Sequence, residues 1–278
     1  MTSISPKPPK HQTSHVSYYE IERRKFTNQP FHSFSDRHDF EYPLEEWGNY
    51  CQENRELRRS HYITKQVQTL DEVKKSALFH KTVPNADKGT VDIYLWKGQI
   101  ENLEIDAIVN AANETLLGGG GVDHAIHSAA GPLLVKECAH IIGGCDVGNA
   151  KKTKGYCLPA NYVLHTVGPI LINNLFPNEQ ALKSCYRACL KLCEEAKMST
   201  VAFPCISCGF YGYPVELSAK HVLELLQEES GHLLYVKNVI LCLFSEEQQK
   251  HYSKVFSSLK IENSIEKKEN EYDESVKK

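Results

Sequence analysis

The sequence lacks several features that would place it in a common class of protein. No apolar run in its 278 residues approaches the roughly 18 residues that a membrane span requires. The first residues, MTSISPKPPKHQ, contain no apolar signal-peptide core. The formal net charge is only -3, and no stretch forms the basic stripe of proteins that grip nucleic-acid phosphates. We therefore expect neither a membrane partner nor a nucleic-acid partner.

Cysteine is present, but not in the pattern of a secreted disulfide framework. The ten cysteines are scattered along the chain: Cys51, Cys138, Cys145, Cys157, Cys185, Cys189, Cys193, Cys205, Cys208 and Cys242. We expect a reducing, intracellular location, cytoplasmic and/or nuclear, with a mitochondrial destination left open. Cys185, Cys189 and Cys193 share one predicted helix face, which favours core packing over a zinc site that has no fourth ligand. No metal and no cofactor are expected.

Composition divides the chain into four segments. Residues 1–42 are polar and rich in Pro, Ser, His and Thr, so they are predicted to be disordered. Residues 43–85 are predicted to be a helical extension and linker, with helical spacing beginning at Leu44. Residues 86–259 are predicted to form the folded domain. The charged tail, 260–278, is predicted to be disordered.

Strands and helices are predicted to alternate within the folded domain. The predicted strands are Val91–Trp96, Ile105–Val109, Tyr162–Val167, Thr200–Ile206 and Asn238–Phe244. The predicted helices are Leu70–Ala77 in the extension, then Val122–Ala130, Pro132–Ile141, Glu179–Lys197, Pro214–Glu229 and Glu246–Leu259. This alternation predicts an α/β fold with helices on both faces of a sheet.

The strongest motif is NAANETLLGGGGVDHAIH, from Asn110 to His127. Four consecutive glycines, Gly118 to Gly121, are poor in any regular element, but they suit a backbone that passes close to a ligand. Their N–H groups and the following helix N-terminus suit an anionic diphosphate. A plain flexible loop is the alternative, although it would not need the flanking Asn, Asp and His. No Gly-Lys-Ser/Thr follows, which excludes a Walker A loop.

The polar residues of this motif are candidates for chemistry. Asp123 and His127 are four residues apart and share a helix face. Asp123 lies in the first turn, where the helix dipole favours its anion, so it can orient a water or a ribose hydroxyl. Asn110 and Asn113 follow the strand predicted at Ile105–Val109, at the edge where ligands gather in open α/β sheets. The alternatives are a capping acid beside an incidental histidine, and asparagines that only form turns.

A second glycine-containing loop, SCGFYG, begins at Ser207 after another predicted strand. The two loops are placed to clamp one ligand between them, with Phe210 or Tyr211 covering it. Cys205 and Cys208 form a CxxC at this strand's end rather than at a helix N-terminus, so thioredoxin-like chemistry is disfavoured. Oxidation of Cys208 is nevertheless hypothesised to block the pocket.

Three segments together resemble the macro domain family, and specifically its MacroD-type ADP-ribosylhydrolases: VNAANETLLGGGGVDHAIHSAAGP, GCDVGNAKKTKGYCLPANYVLHTVGP and VAFPCISCGFYGYP. The resemblance runs from about Val91 to Leu259 with the motifs in order. It implies a three-layer α/β/α fold around a mixed sheet, with ADP-ribose in a cleft at its crest. It also implies a monomer that acts on ADP-ribosylated proteins and ADP-ribose derivatives. Its reactions would be removal of mono-ADP-ribose from acidic side chains and deacetylation of O-acetyl-ADP-ribose, without a metal.

The resemblance also implies roles for individual residues. Asn110, Asn113 and Asp123 would face the distal ribose. Asp123 would position a water, His127 would support that region, and Gly209 would lie close to the same ribose. The implied ligand-binding residues are Gln99, Ile100, Gly118, Gly119, Gly120, Gly121, Val122, Ser207, Cys208, Phe210, Tyr211 and Phe244. A reader module that binds without turnover, and a phosphatase acting on ADP-ribose 1″-phosphate, remain alternatives.

Two positions depart from the family pattern. Gln99 stands where most macro domains have an acidic residue that accepts from the adenine amine. A neutral acceptor contributes about 1 kcal/mol less than a charged one, so we expect weaker ADP-ribose binding. Cys208 stands where the subgroup usually has Thr, which removes a hydroxyl donor near the phosphates.

Overall fold

The computed structural model describes residues 67–86, 89–171 and 176–258. The predictions of disorder for 1–42 and 260–278, and of a helix near Leu44, fall outside these residues. Within them, no helix is both long and apolar enough to cross a membrane.

The order of strands and helices follows the predicted alternation. The strands are β1 (Gln68–Thr69), β2 (Phe79–Pro84), β3 (Thr90–Trp96), β4 (Leu103–Glu104), β5 (Ala107–Ala112), β6 (Ala150–Lys154), β7 (Tyr162–Val167), β8 (Thr200–Pro204) and β9 (Asn238–Cys242). The α-helices are α1 (Leu70–Ser76), α2 (Val122–Ala130), α3 (Pro132–Ala139), α4 (Glu179–Glu195), α5 (Val215–Ser230) and α6 (Glu246–Ser258), and a 3-10 turn spans Ile100–Asn102.

Seven of these strands form one mixed sheet in the order β2-β3-β9-β8-β5-β7-β6. The five inner strands run parallel, while β2 and β6 pair antiparallel at the two edges. β1 and β4 form a separate two-residue parallel pair. The predicted α/β class with a mixed central sheet and flanking helices is therefore confirmed.

The sheet has an apolar core on each face. Val109 of β5 packs in the core that contains residues of α4, α5 and α6, whereas Ile108 packs in the core that contains residues of α2 and α3. Successive side chains of a strand point to opposite faces. Asn110 therefore shares the face of Ile108 and points toward α2, which places a polar group inside an otherwise apolar layer.

Both edge strands differ from the sequence prediction. β6 was not among the predicted strands, because Lys151 and Lys152 are exposed and only Thr153 is buried, so the segment has little apolar pattern. Lysines on an outer strand prevent it from pairing with another chain. A strand at the edge of a sheet can therefore be charged and lack the apolar pattern by which inner strands are predicted. β2 lies in the segment assigned to the extension, so the sheet begins at Phe79, before the boundary drawn at residue 86.

The strand that carries the first motif is also shifted. β5 covers Ala107–Ala112 rather than Ile105–Val109, so Asn110 lies inside the strand and not after it. Asp106 ends the preceding turn, where its Oδ2 accepts from the N–H and hydroxyl of Ser199 (both 2.8 Å) and from the N–H of Thr200 (3.1 Å). This correction decides which way the Asn110 amide points.

Candidate active site

The predicted site residues all lie at one edge of the sheet. Because the five inner strands are parallel, their carboxyl ends meet there, which is where ligands bind in open α/β sheets. The first loop, residues 113–121, follows β5, and the second loop, residues 205–213, follows β8. Gln99 follows β3, and Phe244 follows β9.

The two loops face each other across this edge. Tyr211 of the second loop is partly buried, and the negative charges of Glu114 and Asp123 act on its hydroxyl, so that burial and these charges raise its pKa. Leu171, after β7, donates its N–H to the carbonyl of Tyr211 across 2.8 Å. The second loop therefore lies close enough to the first for the charges of Glu114 and Asp123 to act on Tyr211, while the clamping of a ligand between the loops stays a prediction.

Asp123 is the buried acid of the cleft, only 3% exposed. Its Oδ1 accepts a hydrogen bond from Nδ2 of Asn110 across 2.7 Å. The second amide hydrogen of Asn110 is directed at Nδ1 of His165, 3.1 Å away. An Asn110 amide turned the other way would set its oxygen against the carboxylate, so Asp123 fixes its orientation.

His165 completes a polar layer beneath Asp123. Since its Nδ1 accepts from Asn110, its Nε2 carries the proton, which is directed at the hydroxyl of Thr153 across 2.9 Å. The Sγ of Cys138 lies 3.7 Å from the same nitrogen. Burial lowers the pKa of His165 to about 3, so the ring is neutral. The chain of contacts therefore holds Asn110 without adding a charge.

His165 was not among the site residues predicted from the sequence. Its register could have indicated the role, because His165 is paired with Asn110 across β5 and β7. That inference requires the strand order, which the motif does not contain. Cys138 and Thr153 are likewise found only by the tertiary fold.

Burial dominates the electrostatics of Asp123. It raises the pKa of this carboxyl to about 6, opposed by the hydrogen bond from Asn110 and by the charge of His124. The position in the first helix turn was expected to favour the anion, and burial nevertheless places the pKa above that of an exposed aspartate. Asp123 remains mostly ionised at pH 7 while becoming a much better proton acceptor than an exposed aspartate.

His127 lies on the same face of α2, as its spacing predicts. Its Nε2 is 3.3 Å from Oδ1 of Asp123. Burial lowers the pKa of His127 to about 4, so the two residues do not form an ion pair at pH 7. Nε2 also has no hydrogen-bond partner among the described residues. His127 therefore shapes the wall beside Asp123 as a neutral ring.

One set of possible metal ligands lies at this place among the described residues. His127, Cys138 and His165 each offer an atom within 4.8 Å of the others. The Nε2 of His165, however, is already hydrogen-bonded to Thr153, and burial raises the pKa of Cys138 to about 12. These contacts favour a hydrogen-bonded cluster of neutral side chains.

The glycines of the first loop serve different purposes. Gly118 and Gly121 have φ values of 90° and 63°, a backbone region that favours glycine. A Cβ at Gly119 would lie 2.8 Å from Oδ2 of Asp123. Added Cβ atoms at Gly120 and Gly121 would meet nothing within 4 Å. The last two therefore expose backbone to an open cleft.

Asn113 holds the shape of this loop. Its Nδ2 donates to the carbonyl of Gly118 across 2.9 Å, and its Oδ1 accepts from the N–H and the hydroxyl of Thr115. The Asn113 side chain therefore stabilises the loop, which is the turn-forming role considered for it, and its role in binding a ribose stays a prediction. Asn110, by contrast, retains an amide oxygen with no hydrogen-bond partner among the described residues.

The second loop is tightly folded at its start and open at its middle. Ser207 has a φ of 63°, and a Cβ at Gly168 would lie 2.0 Å from its Oγ, so only glycine fits beside it. Gly209 is exposed, with nothing within 4 Å of an added Cβ. Phe210 is fully exposed, and Tyr211 is partly buried.

The remaining predicted ligand residues lie around this cleft. Gln99 is exposed, and its carbonyl oxygen accepts from Nδ2 of Asn102 across 3.1 Å, while Ile100 is buried beneath it. Phe244 is 77% exposed at the end of β9. The Sγ of Cys208 does not point to the mouth but toward the carbonyl of Ile206, 3.5 Å away.

Comparison with known proteins identifies this arrangement. The family profile described as Macro domain matches residues 109–222. A macro domain-containing protein of Chlorobaculum tepidum is 49% identical over 170 residues, which cover 60% of this chain and 96% of that protein. The ADP-ribose glycohydrolase MACROD2 of Xenopus laevis is 50% identical over 164 residues, or 58% of this chain, but the chain spans only 39% of that relative.

Solved structures agree with the sequence relatives. A Trypanosoma brucei macrodomain in complex with ADP-ribose is 34% identical, with a TM-score of 0.57 over 84% of this chain and 94% of that one. An Oceanobacillus iheyensis macrodomain mutant with ADPR is 35% identical, with a TM-score of 0.58 over 64% of this chain and 97% of that one. The chain belongs to the macro domain family.

Proposed function

We propose that the protein is a hydrolase that releases mono-ADP-ribose from modified protein side chains, with Asp/Glu esters as the substrate bonds. The observation that carries the proposal is the ionisable Asp123, buried and fixed by Asn110 directly under the glycine loop. Names of relatives support it, since the Xenopus laevis and human proteins are both called ADP-ribose glycohydrolases.

The geometry supports different binding roles for the glycine loop and for the polar side chains of the cleft. Backbone N–H groups around Gly120 and Gly121, at the start of α2, suit the diphosphate because they are exposed and meet a helix N-terminus. Asn110 is fully buried, so it acts on the ribose through the Asp123 carboxylate that it orients. The distal ribose would then lie above Asp123, with Tyr211 covering it.

The proposed reaction is attack of water on the anomeric carbon of the distal ribose. The new C–O bond forms as the bond to the side-chain carboxylate oxygen breaks, and that oxygen keeps the electron pair. Asp123 and the substrate diphosphate hold the water, and Asp123 takes its proton. A carboxylate with a pKa of about 6 suits this role, since a general base is most effective near the working pH.

The central test follows release of free ADP-ribose from a protein carrying mono-ADP-ribose on an acidic side chain. Wild type is expected to release it, and Asp123→Ala to lose most of that activity. The matched control is Asp71→Ala, because Asp71 also lies in the first turn of a helix, α1, but is exposed. Equal activity of Asp123→Ala and wild type would refute the mechanism.

A reader module is the second candidate and makes a different prediction. It would bind ADP-ribose tightly without turnover by wild type. Gly209→Ala separates binding from folding, because an added Cβ meets nothing in the free protein but would project into the ligand space. The variant should keep the melting temperature of the free protein and lose ADP-ribose affinity under either function.

We further propose that O-acetyl-ADP-ribose is deacetylated in the same pocket. Its ester lies on the ribose that would face Asp123, so both reactions should share that residue. Parallel assays of acetate release and ADP-ribose release should therefore lose activity together in Asp123→Ala. A phosphatase acting on ADP-ribose 1″-phosphate would instead release inorganic phosphate.

A further inference from the structure

The second loop contains a pair of cysteines that the hydrolysis mechanism does not use. Cys205 and Cys208 are the first and last residues of a tight turn, closed by a hydrogen bond from the N–H of Cys208 to the carbonyl of Cys205 across 3.3 Å. The Cα atoms at the ends of such a turn lie within about 7 Å. That separation overlaps the range that a disulfide bridges without moving the backbone.

These two cysteines differ from the others in exposure. Of the nine cysteines in the described part of the chain, seven are buried, and only Cys205 and Cys208 are partly exposed. The two cysteines are held together by their turn, within which the Sγ of Cys208 points back toward the carbonyl of Ile206, 3.5 Å away. Among the cysteines that the structure describes, this pair is therefore the most accessible to an oxidant.

The surroundings make the two thiols chemically unequal. The Sγ of Cys205 lies 3.6 Å from the hydroxyl of Tyr252 and 3.9 Å from that of Ser218. Burial opposes ionisation of Cys205, but hydrogen bonding with Cys208, Tyr252 and Ser218 outweighs it and lowers its pKa. The hydrogen bond to Cys205, together with burial, raises the pKa of Cys208. Cys205 is thus the nucleophile and Cys208 its resolving partner.

We propose that Cys205 and Cys208 are a peroxide-sensitive modification site, which forms a reversible disulfide within the second loop and thereby weakens ligand binding. The sulfur of Cys205 attacks hydrogen peroxide, so an S–O bond forms, the O–O bond breaks and water leaves with the thiol proton. The sulfur of Cys208 then displaces the hydroxyl from Cys205, forming the S–S bond and a second water. The two thiols supply the two electrons that reduce the peroxide.

A disulfide at this position is expected to affect ligand binding because of the residues next to Cys208. Cys208 is flanked by Ser207, held at a φ of 63°, and by Gly209, which borders the open cleft. Disulfide formation turns the Cys208 sulfur from the Ile206 carbonyl toward Cys205 and locks the turn from Cys205 to Cys208, so Gly209 beside it can no longer adapt freely to a ligand. Since this part rests on the proposed ligand pocket, ADP-ribose binding is expected to weaken by at least about five-fold, the lower end of typical site–site coupling.

The experiment treats the full chain with hydrogen peroxide and maps the products by mass spectrometry. We expect the peptide containing Cys205 and Cys208 to lose two hydrogen atoms and to regain them with dithiothreitol. Cys51→Ser, a change outside the described residues, is the control and should behave like wild type. A pair that stays reduced while other cysteines oxidise would overturn the proposal.

Two single variants separate a switch from general damage. Cys208→Ser removes the resolving thiol, so Cys205 should proceed to sulfinic acid, and dithiothreitol should no longer restore ADP-ribose binding. Cys205→Ser should instead oxidise more slowly than wild type. A mapped disulfide that leaves the affinity unchanged would overturn the regulatory role. Failure of the reduced protein to release ADP-ribose would refute the proposed hydrolase. The mass of the peptide that contains Cys205 and Cys208 would still show whether the disulfide forms.

Discussion

Gly119 lies so close to Asp123 that a Cβ on this glycine would be 2.8 Å from the carboxylate Oδ2. The same Cβ would lie 3.2 Å from Nδ2 of Asn113. Asp123 is held from below by Asn110, so it cannot withdraw without breaking a buried hydrogen bond. The run of four glycines therefore has two functions, since Gly119 accommodates the carboxylate of Asp123 whereas Gly120 leaves the cleft open.

This relationship predicts unequal effects of two adjacent substitutions. Gly119→Ala should destabilise the free protein by about 1–3 kcal/mol, as expected for overpacking against a fixed group. Gly120→Ala should stay within about 0.5 kcal/mol of wild type, because its Cβ meets nothing. Denaturant unfolding of both variants without ligand checks the prediction, and equal destabilisation would contradict it.

The raised pKa of Asp123 predicts a pH dependence of hydrolysis. The ionised form is the proton acceptor, and burial sets its pKa near 6 in the free protein. Activity should therefore be constant above pH 7 and fall below pH 6, by about tenfold at pH 5, since the rate constant kcat/KM reports ionisation of the free enzyme. His127 stays neutral over this range because burial lowers its pKa to about 4.

The measurement is kcat/KM for ADP-ribose release between pH 4.5 and 8, values chosen to bracket the expected midpoint. Circular dichroism at each pH separates inhibition from unfolding. Residual activity of Asp123→Ala should lack this transition. A profile that rises as the pH falls, or a midpoint near the ordinary aspartate value, would contradict the assignment.

The local parts of this site could be predicted from the sequence, and the non-local parts could not. The glycine run and the four-residue spacing of Asp123 and His127 lie within one short segment of the sequence. The loop and the shared helix face could therefore be predicted from that segment alone. The support that His165 gives to Asn110 depends on β7 lying beside β5 in a particular register. The edge strand β6 was missed for a related reason, since an exposed edge needs little apolar pattern.

A stability prediction concerns the amino ends of the parallel strands, on the side of the sheet opposite to the cleft. The Oδ2 of Asp106 accepts three hydrogen bonds from Ser199 and Thr200, at the amino ends of β5 and β8. Asp106→Ala should lower the free energy of unfolding by about 2 kcal/mol, because two backbone N–H groups lose a charged acceptor. Hydrolysis by the folded variant should be unchanged, since the cleft is at the other ends of these strands. A selective loss of kcat with normal stability would contradict this separation.

The affinity for ADP-ribose should be limited at the position of Gln99. Its carbonyl oxygen is a neutral acceptor and is already engaged by Nδ2 of Asn102 across 3.1 Å. Gln99→Asp introduces a charged acceptor for the adenine amine, and we expect binding to strengthen by about 1 kcal/mol, or roughly five-fold. Gln99→Ala is the matched control, which also releases Asn102 but offers no acceptor. Isothermal titration of the three proteins with ADP-ribose decides the matter, because a gain in both variants would assign the effect to Asn102 rather than to the missing acid.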